Sequence, residues 1–477
     1  MTAVVPFKGR LILVGCGTVG NCLLDVLPKA LGFSWAQLHV IDARDCAKAL
    51  TPFTDQGATF HHHHMTLENM ARTLDPIASA GDLLINLTIG VDSLDLADWC
   101  HQNGVLYLDT AVEPWEELVA DPFLQPPDER TEYFSHQRAR KQAAERWRPD
   151  GATAVVAHGA NPGLVSHFAK AALLEVAHKM GLDFAAPDSR QDWAVLAQAT
   201  GTKVIHISER DTQISAVPKR PDEFVNTWSI PGFVEESMMS MEIGWGSHEK
   251  SLPQGAMRQE KGPRNTIYVD RPASSFLVRS WVPLGGQIAG LALPHSETVT
   301  ISDYLTVTDG EGGLAYRPTV AFSYLACDGA LASLHETMMR DWAIPARQRI
   351  MNSDIIEGRD ELGILLLGHG LNGWWYGSQL SVAEARTVVP GHNPTAIQVA
   401  AGVAGAAVWA VRNPNKGYCE AEDLPHEEVL EVARPFLGTM ASLQTDWNPL
   451  SSREIPGQSD QRDNNDPWQF GNFLIAR

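Results

Sequence analysis

The stretch Leu11-Ile12-Leu13-Val14-Gly15-Cys16-Gly17-Thr18-Val19-Gly20 restricts what this chain can fold into more than any other. An apolar tetrad runs into Gly-x-Gly-x-x-Gly, and a mainly apolar segment, Asn21 to Leu31, follows with a single break at Pro28. The pattern predicts a strand, a tight turn and a helix. Each glycine has its own task. Gly15 permits the sharp turn, Gly17 lets backbone come close to a pyrophosphate, and Gly20 lets the helix pack closely on the strand. The first helical turn, with Thr18 and Val19, offers unpaired N–H groups and the positive end of the helix dipole to an anion.

The motif alone is weak, and its context decides. A second apolar run, Leu38 to Ile41, ends in Asp42, 22 residues beyond Gly20, where a ribose-binding carboxylate belongs. Residues 1–157 therefore read as a Rossmann domain that binds a dinucleotide. The alternative is a tight strand–helix turn with no ligand. Asp42 favours NAD, because a carboxylate repels a 2′-phosphate; Arg44 points the other way, since a nearby arginine can accommodate NADP. Two further strands, Asp82 to Thr88 and Val105 to Thr110, end in small polar residues. Ligands of open parallel sheets sit beyond such ends, so Asn86, Thr88, Asp109 and Thr110 are candidate cofactor contacts, with loop capping as the plain alternative. Asp92, Glu113 and Glu116 form an acidic rim around Trp115.

Charge narrows the partners. The 477 residues include 37 basic and 57 acidic side chains, for a formal net charge of −20. Nucleic acid and anionic membrane surfaces are disfavoured, while a cationic substrate is attracted. The first strand begins within ten residues of Met1, without a signal peptide, and no run of eighteen apolar residues suggests a membrane span. The six cysteines are scattered without a Cys-x-x-Cys pair, which fits a reducing cytoplasmic setting and indicates neither a zinc site nor a disulfide framework. The run His61 to His64 can place at most two imidazoles on one face of a strand and is read as a polar strand end, with no metal site expected.

Beyond the first domain, residues 126–150 read as an exposed arm or helix. Ala154 to Gly163 reads as a strand and glycine-rich turn, with Asn161 as N-cap and Pro162 as first residue of a helix from Leu164 to Lys179. From about 190 to 385 short strands alternate with glycine-rich loops: Val204 to Ser208, Asn226 to Ile230, Ser237 to Ile243 and Tyr304 to Thr308. The fold class is α/β, with the Rossmann domain followed by a second, mixed-sheet α/β domain over 158–388 and a C-terminal segment, 389–477, returning to the first domain. Asn393-Pro394 opens a long apolar helix, and the tail from 451 to 469 is polar and irregular.

The second domain carries Glu209, Trp228, Glu235, Glu236, Glu242, His295 and Glu297 in the stretches HISERDTQ, NTWSIPGFVEESMMSMEIGWG and LPHSET. Glu209 closes a strand and Trp228 sits mid-strand. Carboxylates clamp ammonium groups and an aromatic face attracts a cation, whereas a dicarboxylate substrate calls for arginine or lysine. The set leans towards a diamine. The alternative is that Glu209 pairs with Arg210 and Trp228 belongs to the core.

These stretches, with VGCGTVG, NLTIGVDSLDLADWC, LDTAVEPW, AHGANPGL and NPTAIQVAAG, resemble the bacterial homospermidine synthases over essentially the whole chain. Saccharopine dehydrogenases are more distant relatives. The resemblance implies a homodimeric enzyme that holds NAD and joins two putrescines into sym-homospermidine with release of ammonia; spermidine can replace one putrescine in similar enzymes. It further implies that Glu209 anchors the amine nearest the reaction, that Trp228 is the cation–π platform, and that Glu236 pairs with the distal ammonium. Asn161 and His295 are orienting or proton-handling groups beside the nicotinamide, and Asp92, Glu113 and Glu116 are candidates for an acidic substrate entrance. Two other readings compete: a saccharopine-dehydrogenase-like secondary-amine oxidoreductase, and an NAD-binding sensor without turnover.

Overall fold

Four wholly buried apolar residues, Leu11–Val14, form strand β1 of the computed structural model, which describes residues 4–118, 125–451, 463 and 465–475. Thr18–Val26 is helix α1, and Pro28 falls in the short 3-10 turn Leu27–Lys29 that ends it. In chain order follow β2 (Leu38–Asp42), β3 (Thr59–His62), β4 (Leu83–Asn86), α2 (Ser93–Asn103), β5 (Leu106–Asp109) and β6 (Ala154–Val155). All pair in parallel, in the order β6-β5-β4-β1-β2-β3, with Tyr418–Cys419 added beside β6. β1 lies between β2 and β4, so the winding reverses there. Such a reversal opens a crevice beyond the strand ends.

The chain divides into two units, one of residues 1–125, 135–164 and 384–437, the other of 126–134, 165–383 and 438–477. Residues 389–477, expected as one returning segment, are thus shared. In the first unit, helix Pro394–Arg412 starts as its sequence implies, with Asn393 Oδ1 accepting the Ala396 N–H at 2.7 Å. It is long and apolar enough to cross a membrane, but most of it is buried inside the unit. Its Gly402 lies against the Gly159 carbonyl: a Cβ there would stand 1.9 Å from that oxygen.

In the second unit the elements in chain order are β7 (Val204–Asp211), β8 (Glu223–Asn226), α3 (Ile230–Met238), β9 (Ser240–Gly244), β10 (Thr266–Pro272), α4 (Ser296–Tyr304), β11 (Thr319–Leu325), β12 (Arg359–His369), β13 (Asn372–Ser381) and β14 (Met440–Thr445). The main sheet runs β10-β9-β11-β7-β12-β13-β14, with Ala256–Arg258 outside β10. It is mixed, as expected: β7 and β11 are parallel, and the other pairs along this path are antiparallel.

Three expected strands shift. β8 stops at Asn226, because Ser229 Oγ accepts the Gly232 N–H and Pro231 suits a first helical turn, so α3 starts where a strand was expected. Trp228 therefore stands in a connecting turn, not mid-strand. Ser237 belongs to α3, and β9 starts only at Ser240. Tyr304 ends α4, leaving two extended residues, Val307–Thr308. Of the expected irregular tail, 452–462 and 464 lie outside the described residues.

Candidate active site

The glycine turn separates what the chain needs from what it leaves open. Gly15 has φ +96°, and a Cβ there would lie 2.8 Å from the Leu87 carbonyl oxygen. A Cβ on Gly20 would approach the Gly15 oxygen to 2.3 Å. These two glycines are required by the turn and by packing of α1 on β1. Gly17 is different: a Cβ there meets only the Arg44 Nη2, at 3.4 Å. The space over Gly17 is open, and Gly17 is the N-cap of α1 without a side-chain cap. The first-turn amides of Thr18 and Val19 are thus left without a capping side chain, at the end of the helix that favours anions.

Asp42 closes β2 beside this turn. Its Oδ2 accepts the Cys16 N–H at 2.7 Å and its Oδ1 the Arg44 N–H at 2.8 Å. Burial opposes ionisation, but these bonds and the Arg44 guanidinium hold the carboxyl below the usual aspartate range. The exposed Arg44 is therefore tied back onto Asp42. At the ends of β4 and β5 the polar residues lock one another. Asn86 Oδ1 accepts from Thr88 Oγ1 at 2.7 Å, and the buried Asp109 accepts from the Ala157 N–H at 2.6 Å and the Tyr107 hydroxyl at 2.7 Å. Burial pushes Asp109 up to about 7. Thr110 is half-buried, and its methyl lies close to Gly159.

Two residues sit otherwise than expected. Asn161 is not a helix N-cap: the Asn161–Pro162 peptide is cis, Gly163 has φ +125°, and the helix starts at Leu164. The Gly159 N–H donates to the Pro162 carbonyl, closing a tight turn that presents Asn161 at its tip. Asp92 caps α2, accepting the Leu94 N–H at 2.8 Å and the Asp95 N–H at 3.0 Å, and it pairs with Arg138 at 2.6 Å. Its carboxylate thus has a structural role at the start of α2. Glu116 is exposed, and Glu113 is half-buried. His61 faces His39, with ring nitrogens 3.1 Å apart, and among the described residues no group of His, Cys, Asp and Glu is arranged to hold a metal.

In the second unit, β7 and β11 set Glu209 directly beside Tyr324. Tyr324 accepts a hydrogen bond from the Trp228 indole N–H at 3.1 Å. Arg210, on the opposite face of the strand, pairs with Glu361 rather than Glu209. From Trp228 a row of rings continues through Phe233 (5.6 Å between centroids), Tyr324 (5.9 Å) and Phe322 (5.6 Å) to His295 (4.7 Å). Asp211 and Asp360 are paired across β7 and β12 near the Trp228 end; burial pushes Asp211 up to about 6.

His295 stands just before α4 among carboxylates. Its Nδ1 is hydrogen-bonded to Glu297 Oε2. Burial pulls the imidazole down, but the charge and hydrogen bond of Glu297, with Glu236 and Glu132, raise it to about 9. The surrounding carboxylates thus favour the protonated ring. Glu236, on α3, is pushed up to about 8 by burial; His295 pulls it down, and Glu132, Glu235 and Glu297 push it further. Glu236 Oε2 and Glu297 Oε1 are buried without a hydrogen-bond partner among the described residues. Such oxygens suit an incoming ammonium donor. Glu242 lies deeper, accepting from Thr266 Oγ1 at 2.7 Å and the Tyr133 N–H at 3.2 Å, and burial pushes it up to about 7. Sequence reasoning missed Glu132 and Tyr324. Glu132 lies far from the other acids in sequence, and Tyr324 reads as an ordinary strand residue.

Residues 11–155 match the saccharopine dehydrogenase NADP binding domain and 159–445 the saccharopine dehydrogenase C-terminal domain. The homospermidine synthase of Blastochloris viridis is 40% identical over 98% of this chain and 97% of its own length. The chain belongs to the homospermidine synthase family. The Mesorhizobium japonicum homospermidine synthase is 38% identical over 98% of this chain and 96% of its own. The solved structure of the Legionella pneumophila homospermidine synthase, in complex with NAD, superposes with a TM-score of 0.92 at 36% identity, covering 100% of both chains. A saccharopine dehydrogenase from Saccharomyces cerevisiae, at 10% identity and a TM-score of 0.50, shares the fold. The acidic, aromatic cluster described above is therefore the second-domain cluster of a homospermidine synthase family member.

Proposed function

We propose that the chain catalyses the NAD-dependent transfer of an aminobutyl group between two putrescines, giving sym-homospermidine and ammonia, or from spermidine to putrescine, giving sym-homospermidine and 1,3-diaminopropane. The observation that carries this reading is the buried His295 ringed by Glu297, Glu236 and Glu132 beside an aromatic row ending in Trp228. Carboxylates without a basic clamp suit a polyamine and not a dicarboxylate. The reading includes a cytoplasmic homodimer, supported by the family resemblance and by six free cysteines.

The residues present fit NAD: Gly17 leaves a cradle that a side chain would fill, and Asp42 stands where the ribose hydroxyls of such a cofactor belong. Gly15, Gly20, Thr18, Val19, Asn86, Thr88, Asp109 and Thr110 complete or support that pocket. When bound, NAD accepts a hydride from the carbon next to a substrate nitrogen and later returns it.

This chain's own residues do the rest. Glu209 holds the amine nearest the reaction. Glu236 takes the distal ammonium, whose charge offsets its buried carboxylate. The amine loses a proton before the carbon–hydrogen bond breaks; Asn161 orients it, and the deprotonated form of His295 accepts that proton. The Trp228 face and the nearby carboxylates stabilise the iminium that develops. A second putrescine nitrogen then adds to the iminium carbon, the carbon–nitrogen bond to the first amine breaks, and ammonia leaves. The resulting carbon–nitrogen double bond is reduced in place. Glu113 and Glu116 are exposed enough to attract the second polyamine; Asp92 supports them as a cap.

The test is incubation of the purified protein with putrescine and catalytic NAD, read by product mass and NADH absorbance. Homospermidine without net NADH supports the reading. Stoichiometric NADH without homospermidine makes the chain an ordinary amine oxidoreductase.

A further inference from the structure

A cleft of ≈ 970 Å³ opens in the second unit between the turn joining Ala256–Arg258 to β10 and the hairpin after α4. Arg258, Arg264 and Arg317 line it, with Glu260 as its acid among the described residues. In a chain of net charge −20 this gathering of cations is unexpected, because arginines in an acidic protein are drawn into ion pairs. None of the three has a carboxylate partner within salt-bridge distance among the described residues. Asp303, which faces Arg317, is bridged to Arg190 at 3.0 Å.

Arg317 is only 8% exposed. Its Nε donates to Thr306 Oγ1 at 2.9 Å, and its two Nη groups meet no acceptor among the described residues. Beside it Gln259, 7% exposed, has its Nε2 buried without a partner. A buried donor without an acceptor, such as Gln259 Nε2, is rare and costly unless a ligand supplies the acceptor. Arg317 and Gln259 line the same cleft, and the exposed Arg258 and Arg264 add charge to it. The cleft is far larger than a bare oxyanion, and Tyr268, Met257 and Leu314 give it an apolar wall.

We propose that this cleft is a binding site for a small organic oxyanion, a molecule carrying phosphate or paired carboxylates, separate from the polyamine site. A guanidinium matches such oxyanions with two parallel hydrogen bonds, and the buried Gln259 amide completes the donor set.

The experiment titrates NAD-saturated protein with inorganic pyrophosphate and, separately, with citrate, by calorimetry at matched ionic strength. NAD saturation keeps pyrophosphate out of the glycine cradle. Binding of either probe is expected, with pyrophosphate marking a phosphate ligand and citrate a carboxylate ligand. Arg258→Glu with Arg264→Glu, both on the surface, should weaken binding at least tenfold without lowering Tm. Gln259→Leu should weaken it several-fold by removing the buried donor. No binding of either probe at millimolar concentration, or affinity unchanged in both variants, overturns the proposal. So does a change of oligomeric mass in the double variant without any probe binding, which would make the arginines a contact for a second, acidic copy of the chain.

Discussion

The nucleotide cradle and the acidic cluster are built by opposite means. The cradle is made of backbone: a glycine turn, the first turn of α1, and the ends of parallel strands. Its chemistry is held within about thirty residues, because a dinucleotide has fixed geometry and a diphosphate is satisfied by N–H groups that any sequence carries. The acidic cluster is made of side chains drawn from five distant places: Glu132, Glu209, Trp228 with Glu236, His295 with Glu297, and Tyr324. A flexible dication offers two charges and no rigid plane, so it must be met by charge collected in three dimensions. The cradle can be described from local rules; the cluster exists only once β7, β11, α3 and the start of α4 come together.

The sharpest break in that comparison lies within the cradle itself. Gly20→Val should abolish soluble protein, since even its Cβ would collide with the Gly15 carbonyl at 2.3 Å. Gly17→Val should fold with a Tm close to wild type and lose NAD affinity tenfold or more, because its side chain enters open space. If both variants bind NAD normally, the cradle is not the cofactor site.

Trp228→Ala tests the other region. It should fold, retain NAD binding and lose about 30-fold or more in turnover, the equivalent of roughly 2 kcal/mol of desolvated cation–π stabilisation. Trp228→Phe should recover part of that loss. Parallel loss of NAD binding would show that the two regions are one energetic unit and not two.

The pH dependence sharpens the electrostatic half. With Glu236 held up to about 8 and His295 raised to about 9, both keep their protons at pH 7. Turnover at low putrescine should therefore climb as pH passes 8 and level off above 9, and Glu236→Gln should remove the lower inflection along with at least tenfold in kcat/KM. The stability sign follows from the same shift. The folded carboxyl keeps a proton that the unfolded chain loses above 4.5, so wild-type stability falls between pH 4.5 and 8. The Gln variant should gain a few degrees of Tm over wild type across that window, measured calorimetrically. A flat difference would mean that Glu236 is not buried among carboxylates in solution.

The smallest effect concerns the rim. Asp92→Ala should cost about 1 kcal/mol of stability through the lost cap of α2 and leave kcat unchanged. A large rise in KM with unaltered stability would restore Asp92 to a substrate entrance.

Much of this was legible beforehand, and the exceptions share a cause. β1, the glycine turn and the acid ending β2 follow from periodicity and from the few residues that tolerate such a turn. The helix after Asn393-Pro394 follows from its cap and its apolar length. Trp228 was misplaced because aromatic and β-branched residues suggest a strand, while Ser229 and Pro231 locally favour a helix start. Asn161 was misplaced because Asn-Pro-Gly reads equally well as a cap or as a turn. The ion pair of Asp92, a candidate for the substrate entrance, is not legible in sequence because its partner, Arg138, is 46 residues away.

The sequence by itself therefore determined the parallel nucleotide-binding sheet and the chemical character of the ligands, since both rest on residue type and short spacing. Only the tertiary structure decided which acids share one buried environment. It also decided that carboxylates from distant segments surround His295, and that three arginines of an acidic chain line one cleft without an ion-pair partner among the described residues. Charge acts through space, and the low dielectric that makes those groups interact is created only when distant segments exclude water together.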